Sequence, residues 1–61
     1  MKWIDFLFVD RETGEDFLVE VQDTQYAQRE ALQIAHENFE TPRLIRQVPE
    51  WEAEILGYDT Y

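Results

Sequence analysis

The chain has 61 residues, with fourteen Asp and Glu against five Lys and Arg, for a formal net charge of -9. That length holds one domain, residues 1–61, and no more. With no Cys, no Ser, one His (His36) and one Lys (Lys2), the chain has no disulfide, no Cys/His zinc set and no Ser or Cys nucleophile, and its charge opposes direct contact with nucleic acid or an anionic membrane.

Stability must then come from apolar packing or self-association. The supply is there: 44% of residues are hydrophobic and 15% aromatic, unlike a disordered acidic tail. The longest uncharged apolar run, Phe6 to Val9, is too short to span a bilayer. Met1-Lys2-Trp3-Ile4-Asp5 lacks a signal-peptide layout, so a cytoplasmic location is expected.

Residues 3–9 (WIDFLFV) are β-branched and aromatic, and read as a strand. Ile4, Phe6 and Phe8 share one face; Trp3, Asp5, Leu7 and Val9 share the other. The run Asp10-Arg11-Glu12-Thr13-Gly14-Glu15 suits a hairpin loop, with Gly14 at positive φ. Residues 16–22 (DFLVEVQ) alternate: Phe17, Val19 and Val21 against Asp16, Leu18, Glu20 and Gln22.

The period then changes. Residues 24–39 predict a helix capped by Asp23. Ala27, Ala31, Ile34 and Ala35 form its apolar stripe, flanked by Leu32 and Phe39. Small alanines let a helix sit close to a sheet that carries large Phe side chains. After Pro42, residues 43–48 (RLIRQV) read as a third strand, with Arg43 and Arg46 paired to neighbouring acids. Pro49-Glu50 reads as a turn and residues 51–56 (WEAEIL) as a fourth strand, ending in a bend at Gly57.

The order β-β-α-β-β predicts an α+β fold: an antiparallel sheet of spatial order 2-1-3-4 with one helix across one face. The alternative has only three strands, with residues 43–48 as a loop. The other face is left open and carries Trp3, Asp5, Leu7, Leu18 and Glu20, joined by Glu52 and Glu54 of the fourth strand. Apolar groups rimmed by carboxylates mark an interaction surface.

No constellation points to catalysis or to a cofactor. Asp10, Glu12, Glu15 and Asp16 only half match a calcium loop, and Arg11 opposes a cation. Glu52 and Glu54 share a strand face, but a domain this small has little volume for a cleft between paired carboxylates. His36 sits on the polar side of the helix beside Glu40.

The segments FLVEVQDTQYAQREALQIAHENFE and EAEILGYDTY resemble small proteins carried by phages and prophages of Gram-positive bacteria. The resemblance implies a ββαββ accessory protein and transfers no catalytic residue.

Three functions compete. The first is a protein-binding accessory module whose acidic face engages a basic protein, in its extreme form a nucleic-acid mimic that blocks a DNA-binding protein. The second is a structural homodimer through the open face or an edge strand. The third, a small enzyme or ion-binding domain, is the least supported.

Overall fold

The structure is a computed structural model that describes residues 2–61. Two β-branched and aromatic runs form the first hairpin. β1 (Trp3–Asp10) pairs antiparallel with β2 (Asp16–Gln22), placing Phe6 opposite Val19 and Phe8 opposite Phe17. Gly14, at φ 76°, closes the loop between them. β3 (Pro42–Val48) pairs antiparallel with the other side of β1, giving a three-stranded sheet in the order β2-β1-β3.

α1 (Ala27–Asn38) crosses one face of this sheet. Its alanine stripe, Ala27, Ala31 and Ala35, is buried against Phe6, Phe8, Phe17, Val19 and Val21. The large-against-small fit predicted from the sequence is therefore present. Each buried Phe contributes roughly 2–3 kcal/mol of hydrophobic stabilisation. Phe39, just past the helix, stacks on Phe17 with ring centroids 4.0 Å apart, and Phe17 stacks on Phe8 at 5.4 Å.

Asp23 does not cap this helix. Tyr26 holds the N-cap position without a side-chain bond, and Thr24 organises the turn by accepting the Tyr26 N–H at its hydroxyl. The Asp23 carboxylate instead lies 3.8 Å from the Lys2 ammonium.

Residues 51–56 do not form a fourth strand. They belong to a second helix, α2 (Glu50–Leu56), so neither the ββαββ layout nor the 2-1-3-4 order is present. The short run is ambiguous because Trp51, Ala53 and Ile55 alternate while Glu, Ala and Leu all favour helix. Punctuation decides the matter. Pro49 is extended at the N-cap, Glu50 and Glu52 fill the first turn where the helix dipole favours acids, and Gly57 takes the left-handed cap at φ 64°. The three-stranded alternative is right in strand number but wrong in its missing element, since residues 43–48 are the strand.

α2 packs on β1 from the face opposite α1. Its half-buried residues Glu52, Ala53 and Leu56 form one helical stripe; Trp51, Glu54 and Ile55 are exposed. Beyond it, residues 59–61 run parallel along the outer edge of β2. Leu18 N–H donates to the Asp59 carbonyl at 2.8 Å, Tyr61 N–H to the Leu18 carbonyl at 2.8 Å, and Glu20 N–H to the Tyr61 carbonyl at 3.0 Å. The Tyr61 ring meets Phe17 and Phe39 edge-on at 5.6 and 5.5 Å. The extra pairing thus covers β2, on the side of the sheet away from the position predicted for a fourth strand.

Candidate acidic cleft and ridge

Every second side chain of β1 points away from α1, so the register brings Asp5 level with Glu20 on β2 and with Val48 on β3. One row further, Leu7 lies between Leu18 and Arg46. This second face was expected to be open. α2 packs over part of it instead, and Leu18 and Val48 are each 1% exposed and Leu7 half-buried.

A bulge on β3 makes this closure possible. Leu44 is opposite Phe8 and Arg46 is opposite Leu7, so Ile45 has no residue across from it. Without the extra residue, Leu44 and Arg46 would share a face. With it, Leu44 packs against the α1 core and Arg46 emerges under α2. There its guanidinium makes two hydrogen bonds to the Glu52 carboxylate, the first from Nη1 to Oε1 at 3.0 Å and the second between Nη2 and Oε2. Those bonds hold Glu52 below the usual carboxylate range. Arg46 therefore pairs with an acid, as predicted, but across layers rather than across strands.

Where α2 begins, the closure is incomplete. A cleft of about 690 Å³ opens at the end of the sheet, lined by Lys2, Trp3, Asp5, Glu20, Pro49 and Glu50 among others. Asp5 lies within it at 7% exposure. Among the described residues, no donor hydrogen-bonds its carboxylate. Burial, then the like charges of Glu20 and Glu50, raises its pKa above the ordinary value. Trp3, 53% exposed, stands at the rim. Lys2, the one cation among the described lining residues, has its ammonium beside Asp23.

Next to the cleft, α2 presents an apolar ridge. Trp51 is 64% exposed and Ile55 75% exposed, one helical turn apart, with Glu50 and Glu54 alongside.

The proposed site residues thus divide. Trp3, Asp5 and Glu20 come together in the cleft. Leu18 is buried and Leu7 half-buried, so neither offers an open contact surface. Glu52 is engaged by Arg46, and Glu54 projects from α2, so these two glutamates do not share a strand face. Glu50, Trp51 and Ile55 were not singled out from the sequence. Reading residues 50–56 at helical period would have found them.

Asp10, in the hairpin loop, has a different environment. Its Oδ1 accepts from the Thr41 hydroxyl at 3.0 Å and the Thr41 N–H at 3.2 Å; its Oδ2 accepts from the Thr13 hydroxyl at 3.1 Å. Among the described residues no group of three or more His, Cys, Asp or Glu is placed to hold a metal ion. No described helix is long and apolar enough to cross a membrane.

No family, no curated protein and no solved structure matches this chain.

Proposed function

We propose that this protein is a non-enzymatic binding module for a basic protein. One observation carries the reading: a solvent-facing apolar ridge, Trp51 and Ile55, adjoins an acidic cleft on a chain of net charge -9. Exposed Trp is costly in water and frequent at the centres of interfaces. The carboxylates around it select the sign of the partner and speed its approach. An accessory role of this kind agrees with the resemblance to phage and prophage proteins. A basic nucleic-acid-binding protein is one such partner, which is the mimicry version of the same reading.

The test is capture from a host lysate on immobilised protein, compared with a Trp51→Ala, Ile55→Ala double variant. A basic protein retained by the parent, released by salt and lost on the double variant supports the reading. Retention by both proteins alike, or by neither, removes it.

A homodimer is the second reading, favoured by the outer edge of β3, which pairs with no strand of the sheet. The bulge at Ile45 and the exposed Arg43 and Arg46 on that edge work against pairing with a second copy. A sedimentation coefficient that rises with concentration would favour the dimer.

A further inference from the structure

We infer that the cleft at the start of β1 is a receptor for one arginine side chain of the basic partner, with Asp5 as its buried counter-charge and Trp3 as its stacking wall. The inference rests on the proposed function and names the chemistry of the contact.

Three features of the cleft converge on a guanidinium. First, Asp5 carries its charge into the cleft without a protein partner: no side-chain oxygen among the described residues is sealed from solvent unpaired, so its carboxylate meets the solvent of the cleft. It is 93% buried by its 7% exposure, accepts no hydrogen bond among the described residues and faces the cleft. Its cross-strand neighbour is Glu20, and Glu50 lies near enough to raise its pKa. Like charges opposite one another destabilise a sheet. A cation from outside would relieve all three carboxylates together.

Second, the cation is broad rather than compact. Among the described residues no three acids converge closely enough to hold a metal ion, whereas the five N–H groups of a planar guanidinium reach acceptors spread around its edge. Third, Trp3 is half-exposed at the rim, and Trp is the best partner for a stacked cation. The cleft, at about 690 Å³, also has room for the peptide on either side of the side chain. Lys2 does not fill the role, because its ammonium sits beside Asp23 at 3.8 Å.

The experiment is a titration of the intact protein with N-acetyl-arginine amide, following the indole N–H signals of Trp3 and Trp51 by NMR. N-acetyl-citrulline amide serves as the uncharged isostere. The Trp3 signal should shift and saturate with the arginine ligand, while Trp51 stays still and citrulline has no effect. Asp5→Asn should weaken binding by about tenfold or more, because it removes the one buried charge of the pair. Glu37→Gln, on the far side of α1, should leave it unchanged.

Equal binding by Asp5→Asn, or equal shifts with citrulline, would overturn the inference. Spermidine binding more tightly than the arginine ligand would overturn it too, by making a free polyamine the occupant. The two readings fail separately. Arginine binding at Trp3 without capture of a basic protein leaves the cleft standing and removes the protein partner. Capture that depends on Trp51 and Ile55 but not on Asp5 leaves the partner standing and removes the cleft.

Discussion

The two ends of β1 bury an aspartate each and treat them in opposite ways. Asp10, 3% exposed, accepts three hydrogen bonds from Thr13 and Thr41 and thereby ties the hairpin loop to the start of β3. Burial pushes its pKa upward, but those bonds outweigh the burial and hold it below the ordinary value. Asp5, 7% exposed, accepts no hydrogen bond among the described residues, and burial first, then the like charges of Glu20 and Glu50, raises its pKa. One carboxylate stabilises the fold and the other strains it.

The comparison breaks most easily at Asp10. Asp10→Ala should give the largest loss of the set, on the order of 10 °C in Tm, since it orphans the donors of Thr13 and Thr41 together. A thermal melt that moves by less than the Thr41 variant below would show that the network is dispensable. Thr41→Val should cost about 1–2 kcal/mol in urea unfolding. The Thr41 hydroxyl both donates to Asp10 and accepts the Glu12 N–H at 3.1 Å, so valine loses both bonds.

Asp5→Asn should act in the other direction and raise Tm by roughly 2–5 °C at pH 7, by removing a buried charge from beside Glu20 and Glu50. A lower Tm at pH 7 would mean that Asp5 has a structural partner, and the contrast between the two ends would collapse.

The pH dependence sharpens the same contrast. The pKa of Asp10 is depressed on folding. Its stabilisation is therefore present above the ordinary carboxylate value and lost as pH falls through the lower, folded one. The pKa of Asp5 is raised on folding. The folded state holds that proton more tightly, so stability is lost as pH rises from the ordinary value through the folded one. The advantage of Asp5→Asn should accordingly shrink to nothing as pH falls below about 4, where the wild-type carboxyl is protonated in both states. Denaturant midpoints of both proteins across pH 3–7 would check this; a constant difference would contradict the assignment. The smallest effect is expected for Glu52→Gln, roughly 1–2 °C and diminishing with salt, because its pair with Arg46 is partly exposed.

Much of this molecule is legible in the residue pattern. The alternation in 3–9 and 16–22 sets the hairpin register, so that Phe6, Phe8, Phe17, Val19 and Val21 share the core face. The alanine stripe of α1 sets its packing side. What was missed involves runs too short to carry their own period. Residues 51–56 satisfy both strand and helix patterns, and only Pro49, Gly57 and the Arg46 pair resolve them. Residues 59–61 are just as silent. Their docking depends on backbone donors and acceptors of β2 and on the rings of Phe17 and Phe39.

The site was half legible for the same reason. Trp3, Asp5 and Glu20 share a face by simple alternation, and the pattern finds them. That Leu18 is buried, that Asp5 lacks a donor among the described residues and that Trp51 and Ile55 stand in solvent are decided only by the assembled fold. The amino-acid sequence alone determined the hairpin, the side on which α1 packs and the chain's net negative charge, because these depend on local period and on summed charge. Only the tertiary structure decided that Asp10 is satisfied and Asp5 is not. Two of the three donors that satisfy Asp10 come from Thr41, thirty-one positions along the chain, and no local pattern encodes that distance.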